Sequence, residues 1–497
     1  MSAPELVAAD VPSSLTEAGM LIGGEWSPAA DGRRIEVENP SRREALASVP
    51  RGGAEDVNRA VAAAAAAFPA WRARAARERG LLLMRIADDV DETGEGLARL
   101  IAAETGNAIR TQARGEAATA ADVLRYFGGV ASEQKGEVLP LGDGMLSYTV
   151  REPLGVVAAI VPWNAPVVLA ALKIAMGLAT GNTVVLKAAE DAPLGVLRLA
   201  EVCARHLPDG VLNVLSGYGE ECGGPLLEHP GIAKISFTGS TEVGKVAMRA
   251  AAERIVPVSL ELGGKAPAIV YPDSDDDATV THVIAAMRFA RQGQSCTAGS
   301  RLYLHETIFD SFNAKLAERL GEMVVGDALD ERSDIGSVVS GTQDDRVCGY
   351  LREALDQGAT ALTGGVPDEG RPGYQLRPTV LTGVEQSWRV AREEVFGPVL
   401  VALPWSDEDE VIRWANDTHY GLAAFVFSHD LDAALRAAHR IEAGWVQVNR
   451  SGGQVPGMSY GGKKQSGLGS EYSIEGALEG FTQRKGITIG VAAGEAR

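Results

Sequence analysis

Cysteine is scarce and forms no framework. Four cysteines stand in 497 residues, at positions 203, 222, 296 and 348, widely spaced and without a CxxC pair. That excludes a disulfide scaffold and a zinc site built on paired thiolates, and it fits a reduced compartment. The seven histidines are scattered, with no HExxH and no His/Asp cluster, so no catalytic metal is expected. Long apolar runs are missing too, and no stretch could span a bilayer. The N-terminal stretch MSAPELVAADVPSS has neither a basic n-region nor an apolar h-region. No signal peptide is read there, and the cytoplasm is the expected location. Positive charge is in deficit: 47 Lys and Arg face 66 Asp and Glu, a net charge of −19. Such a surface repels phosphate backbones, which argues against a nucleic-acid partner.

What remains is the composition of a globular protein, 45% hydrophobic and 23% charged over a length that suits two or three domains. LIGGEW and IEVENP, between residues 20 and 50, read as short strands and turns. From Glu55 to about Phe127 the pattern is helical. The Ala62 to Ala67 run belongs to a helix face, because Val57, Val61 and Phe68 recur at helical spacing. MLSYTVR (145–151) alternates as a strand does. VVAAIV (156–161), TVVLK (183–187), VLNVL (211–215) and KISF (234–237) then alternate with helix-length segments such as Val167 to Ala179 and Leu194 to His206. Continuous apolar strands between helices predict a parallel sheet covered on both faces. After Glu261 a second series follows, AIVY, RLYL, VLVAL, AAFVF and WVQV, so two α/β domains are expected to meet near residue 260. The last stretch, GFTQRKGITIG, reads as a strand with no local partner. It is expected to pair elsewhere, a subunit interface being one place.

Four places could carry chemistry. Cys296 lies in GQSCTAGS, directly after the apolar run HVIAAMRFA, where small residues leave a thiol open to a ligand. A lone cysteine is more often an inert buried hydrophobe. Glu261, in VSLELGGK, falls at the carboxyl end of a strand, the edge at which α/β sheets bind ligands. A solvated turn carboxylate is the commoner outcome for an isolated Glu. Asn164, in VPWNAP, sits between two prolines that restrict the backbone, so its carboxamide can be fixed as an oxyanion donor. An Asx-turn is the ordinary alternative. FTGSTEVGK opens a helix that Ser240 can cap, and a helix N-terminus attracts anions. SGYGEECGG (216–224) is also glycine-rich after a strand, but its G-x-G-x-x-x-G spacing departs from the dinucleotide fingerprint.

Together VPWNAP, GNTVVLKAAE, FTGSTEVG, LELGGK, GQSCTAGSR, EEVFGPV, NDTHYGLAA and YGGKKQSGLGSE resemble the aldehyde dehydrogenase superfamily, in order from about residue 20 to 490. The resemblance implies an α/β fold with a Rossmann-like cofactor domain (1–130 and 152–260), a catalytic domain (261–465) and a small β oligomerisation element (131–151 and 466–497). It implies NAD-dependent, hydrolytic oxidation of an aldehyde to its acid through a thiohemiacetal. Cys296 would be the nucleophile, Asn164 with the Cys296 backbone N–H the oxyanion hole, and Glu261 the base for deacylation. Lys173 matches a family lysine near Asn164. Lys187 and Glu190 would bind the adenosine ribose, while Trp163, Gly219, Phe237, Gly239 and Ser240 would contact adenine and pyrophosphate. Glu394 and Phe396 would hold the nicotinamide ribose and ring. A homodimer or homotetramer is implied.

The substrate pocket would comprise Ala165, Val168, Leu169, Leu172, Ser295, Thr297 and Gln454. Family members for small linear aldehydes often carry bulky aromatics where Ala165 and Leu172 stand. The smaller residues here imply a wider apolar pocket, for an aromatic or medium-chain aliphatic aldehyde. No arginine stands at Leu172 to hold a semialdehyde carboxylate, and Gln454 replaces an aromatic that a quaternary ammonium would want. Arg291 and Arg450 could hold a carboxylate instead, although exposed or structurally paired arginine is the commoner state. Glu190, near the ribose 2′-hydroxyl, favours NAD over NADP. Two rivals stay open: a CoA-acylating semialdehyde dehydrogenase, which would lack the Glu261 carboxylate, and a non-enzymatic structural relative, which would have lost Cys296 or Glu261.

Overall fold

In the computed structural model, residues 19–142 and 144–490 are described. The N-terminal stretch read above for a leader lies outside them. Among the described residues the β-rich runs build two large sheets. The centre of the first is parallel, in the spatial order Val258–Glu261, Lys234–Thr238, Val156–Ile160, Thr183–Lys187 and Leu212–Leu215. All residues of these strands are buried except Val258, as expected of strands covered on both faces. Antiparallel strands flank this centre, Gly467–Leu468 on one side and Met20–Ile22 with Glu25–Ser27 on the other. The second sheet contains Pro267–Val270, Arg301–His305, Val399–Trp405, Ala423–Phe427 and Trp445–Val448 in parallel, with Thr360–Thr363 antiparallel at one edge. The chain leaves the first sheet at Glu261 and enters the second at Pro267.

The helical stretch resolves into Ala54–Ala73, Ala76–Glu92, Gly94–Thr105 and Arg114–Val130. The alanine run lies inside the first of these. Every residue of the Pro166–Ala179 helix is buried except Leu169, which matches its apolar character on all sides. Pro166 suits the first helical turn, where its missing N–H is not needed. The next orphan donor, Val167 N–H, is bonded 3.0 Å away by buried Glu116 Oε1. No helix of the described residues is long and apolar enough to cross a membrane.

The C-terminal strand has no local partner, as expected, and pairs within its own chain. Thr482–Gly490 pairs antiparallel with Met145–Pro153 of the same chain, from Thr482↔Pro153 to Gly490↔Met145. With Val138–Pro140 these strands form a third, small sheet. The alternation of 145–151 pointed to this strand, but its partner is more than 300 residues away and no local pattern names it.

Candidate active site

Parallel strands end on a common edge, and that edge collects the candidate residues. Glu261 lies beside Thr238, Phe237 beside Ile160, Ile160 beside Lys187 and Lys187 beside Leu215. The loops that follow these strand ends carry Ser240, Trp163, Asn164, Glu190 and Gly219. Five sequence-distant motifs therefore meet at the carboxyl edge of one sheet, where α/β folds bind ligands. A cavity of about 940 Å³ opens there, and Trp163, Asn164, Ser240, Glu261, Cys296 and Glu394 are among its lining residues.

Cys296 reaches the cavity from a tight turn. Gln292 and Gly293 before it are in left-handed conformations, φ 51° and 65°. Two buried glutamines fasten this turn. Gln292 Nε2 donates to Gly106 O at 3.1 Å, and Gln294 Oε1 accepts from Val339 N at 3.0 Å. Asn164 Nδ2 donates to Gln294 O at 3.0 Å, which ties the amide to the turn that carries the thiol. A carboxamide has two N–H groups, so one remains for a ligand. The Cys296 backbone N–H donates to no protein group among the described residues. Of the four cysteines only Cys296 is partly exposed. Burial, with Glu394 and Glu261 nearby, pushes its thiol up to about 12, while the Tyr460 hydroxyl, 3.8 Å from Sγ, acts in the opposite direction.

Glu261 is 5% exposed, lines the cavity and has no hydrogen-bond partner for either carboxylate oxygen. Its carboxyl is pushed well above the usual range, first by burial and then by the Glu471 carboxylate, against the pull of Lys173. Lys173, fully buried, donates to Glu471 Oε1 at 2.9 Å and to Ser236 Oγ at 3.0 Å. An unpartnered buried carboxylate is costly, so its retention here points to a task beyond stability. The two glycines after Glu261 are required by crowding. A Cβ on Gly263 would stand 2.4 Å from Glu394 Oε2, and one on Gly264 would stand 2.2 Å from the Cys296 carbonyl oxygen.

At the other end of the cavity, Ser240 Oγ caps the Thr241–Arg254 helix by accepting from Val243 N at 3.3 Å. Gly239 and Ser240 line the cavity at this N-terminus. The buried Thr238 hydroxyl, also in the lining, has no partner. Glu394 Oε1 accepts from Gly264 N at 2.9 Å, and burial raises this carboxyl to about 7. Phe396, at φ 58°, holds a strained left-handed backbone and meets Trp163 edge-on at 5.3 Å. Lys187 Nζ donates to Glu190 Oε2 at 2.6 Å. These two, with Gly219 and Phe237, lie on the same sheet edge but outside the lining of this cavity. Phe237 is buried, and its ring would stand 2.6 Å from a Cβ on Gly239, so it packs beneath that turn.

The chain matches the model of the aldehyde dehydrogenase family over residues 26–487. The chain belongs to the aldehyde dehydrogenase family. It is 42% identical over 480 residues to the phenylacetaldehyde dehydrogenase of Pseudomonas fluorescens, covering 95% of each chain. Identity to the hydroxyisobutyraldehyde dehydrogenase of Mycolicibacterium austroafricanum is 42% over 478 residues, covering 95% of this chain and 93% of the other. The NAD+ complex of an aldehyde dehydrogenase from Bacillus cereus superposes with a TM-score of 0.92 at 35% identity, over 95% of this chain and 96% of that one. As a member of the family this chain is an oxidoreductase that acts on aldehydes.

One expected pocket residue is displaced. Ala165, Val168, Leu169, Ser295, Thr297 and Gln454 all line the cavity of this family member, but Leu172 does not. It is 0% exposed and packed in the core, because one further helical turn carries it past the cavity floor. Arg450 is exposed and outside the lining, whereas Arg291 lines it. Arg291 Nη2 lies 3.8 Å from Glu116 Oε2, so a carboxylate already offsets its charge. The motif reading gave no role to Tyr460, Glu471 or Tyr472, which all line the cavity. YGGKKQSGLGSE contains the first two, but nothing in its spacing says that they face Cys296.

Proposed function

We propose that this chain oxidises an aromatic or medium-chain aliphatic aldehyde to its acid, using NAD in preference to NADP, with Cys296 as nucleophile. One observation carries the reading: the accessible thiol, a tethered carboxamide and an unpartnered buried carboxylate line a single cavity. The residues fit a nicotinamide dinucleotide. The capped helix N-terminus with the orphan Thr238 hydroxyl suits a pyrophosphate, and Glu394, Trp163 and Phe396 would hold the ribose and ring. Bound there, the cofactor supplies a hydride acceptor and a positive charge in a cavity whose burial otherwise keeps the thiol protonated.

The chain's own residues account for the rest. The Cys296 sulfur attacks the aldehyde carbon, and charge gathers on the former carbonyl oxygen. The second Asn164 N–H and the Cys296 backbone N–H are donors for it, each worth roughly 10²–10³ in rate. Glu261, once deprotonated, takes a proton from the water that cleaves the thioester. Lys173 pairs with Glu471 and holds it in place beside that base. A CoA-acylating enzyme has no need of such a base, and a structural relative has no need of an open thiol.

The substrate class rests on Ala165, Val168 and Leu169, with the Tyr460 and Tyr472 rings, and on the offset of Arg291 by Glu116. The phenylacetaldehyde dehydrogenase relative supports an aromatic substrate. The Lys187–Glu190 pair supports NAD, because a carboxylate beside the ribose hydroxyls repels a 2′-phosphate. A kcat/KM panel tests both selectivities. Phenylacetaldehyde and hexanal are expected to exceed succinate semialdehyde, and NAD to exceed NADP, each by about 10-fold or more, as one misplaced charge requires. Preference for the semialdehyde would reject the substrate class.

We assign the first sheet with the helices of 1–130 and 152–260 to cofactor binding and 261–465 to catalysis. The third sheet, most of it in 131–151 and 466–497, is assigned to self-association as a homodimer or homotetramer. Its register puts exposed Val138, Leu146 and Ile489 on one side, an apolar surface that water does not favour. Light scattering is expected to return a mass of two or four chains; a mass of one chain would refute the assignment.

A further inference from the structure

Tyr460 reaches the thiol without any role in the reaction as described so far. Its hydroxyl lies 3.8 Å from Cys296 Sγ, within reach of a hydrogen bond to sulfur. Among the described residues no other side chain hydrogen-bonds that sulfur, and the Tyr460 hydroxyl has no second partner. The residue is 4% exposed, and its ring is gripped edge-on by Trp445 at 5.8 Å and Tyr472 at 5.6 Å. Its backbone is fixed as well. Tyr460 and Glu471 exchange both main-chain hydrogen bonds, at 3.2 and 2.7 Å. One backbone bridge therefore carries the phenol at the thiol and the carboxylate that faces Glu261.

We infer that Tyr460 is the hydrogen-bond donor to the Cys296 sulfur, stabilising it as the attacking thiolate and again as the leaving group of the acyl-enzyme. This rests on the proposed reading of Cys296 as nucleophile. A thiolate is a strong acceptor, whereas the sulfur of a thiol, thiohemiacetal or thioester is a weak one. A phenol O–H facing Sγ thus favours the charged sulfur over each of its neutral forms. In deacylation, water adds to the thioester carbonyl and its proton passes to Glu261. The tetrahedral oxyanion then re-forms the carbonyl as the C–S bond breaks, and sulfur keeps the electron pair. That charge arises on the atom that the Tyr460 hydroxyl faces.

The other charged groups around the sulfur do not substitute for this contact. Glu394 and Glu261 oppose a thiolate when ionised, while Arg291 favours it from a distance. Arg288 lines the same cavity, but its guanidinium donates to the Ser451 and Gly452 carbonyls. Tyr472 faces it too, and burial drives the Tyr472 hydroxyl above its ordinary range, so it stays neutral.

Tyr460→Phe keeps the ring packing and removes only the hydroxyl. The test follows the rate of Cys296 alkylation by iodoacetamide against pH in the absence of aldehyde, reading the modified peptide by mass. Alkylation is expected to be roughly 10-fold slower across pH 7–9, as loss of one hydrogen bond to a charged acceptor requires. Steady-state kcat is expected to fall by a similar factor and to recover as the pH is raised. An alkylation profile that superimposes on that of the parent would overturn the inference. Activity of Cys296→Ala, measured alongside, separates the two claims. An inactive Cys296→Ala with an unchanged Tyr460→Phe profile removes only the role of Tyr460. An active Cys296→Ala removes the nucleophile on which that role depends.

Discussion

Cys296→Ala is expected to abolish NADH formation, lowering kcat/KM by at least about 10⁴-fold, as removal of a covalent nucleophile does. The substitution leaves the rest of the site in place. Asn164 stays tied to the Gln294 carbonyl, and the turn stays fastened by its two glutamines. Binding of NAD should therefore persist while the reaction stops, and quenching of tryptophan fluorescence by NAD can show that separately. None of the remaining cysteines can take over. Cys203, Cys222 and Cys348 are 0%, 0% and 3% exposed and absent from the cavity lining. Burial pushes the first two thiols up to about 12. Cys296 has a similarly raised thiol, so its acidity does not single it out. What distinguishes it is access, with two oxyanion donors beside it. Full activity in the alanine variant would end the assignment of the nucleophile.

The strands that place this thiol were readable because burial on both faces leaves a strong mark. TVVLK spans the observed Thr183–Lys187, and KISF lies within Lys234–Thr238. The carboxyl edge follows from strands that run parallel, so the local pattern puts Glu261 at a ligand-binding edge, while the role of Asn164 comes from the resemblance. Side-chain geometry across long separations was not readable. Lys173 and Glu471 are 298 residues apart, and only the fold shows that they form a buried pair. Leu172 had the helical spacing of Ala165, Val168 and Leu169, yet it lies in the core. Periodicity gives the face of a helix but not the point at which a cavity ends. Tyr460 stood among glycines in a motif, and the local pattern cannot say which way an aromatic ring turns. The local pattern hid the partner of Thr482–Gly490 for the same reason, and only the resemblance set 131–151 and 466–497 in one β element: strand pairing is a property of the whole chain.

Glu261→Gln should divide the reaction at its midpoint. Attack by sulfur and oxidation do not need the carboxylate, so one equivalent of NADH per active site is expected in a burst. Hydrolysis of the thioester does need it, and steady-state turnover is expected to fall by about 10²–10⁴, the usual weight of a positioned general base. The amide occupies the same volume. It also ends the repulsion between Glu261 and Glu471 and removes the charge whose burial is costly, so the variant should fold at least as stably as the parent. Its pH dependence gives a second readout. Burial and Glu471 hold the Glu261 carboxyl above its ordinary range, which leaves it protonated at pH values where an exposed Glu is ionised. A base must be deprotonated to accept a proton, so deacylation in the parent should rise with pH through that elevated pKa. Glu261→Gln has no such group, and its slow turnover should lose this limb. A variant that kept parental turnover, or kept the limb, would require another base. Glu471 is the nearest candidate by position, but its Oε1 is already committed to the Lys173 ammonium at 2.9 Å. Glu394 is bonded through Oε1 to the Gly264 amide, so of Glu261, Glu471 and Glu394 the Glu261 carboxylate is the one with both oxygens left for water.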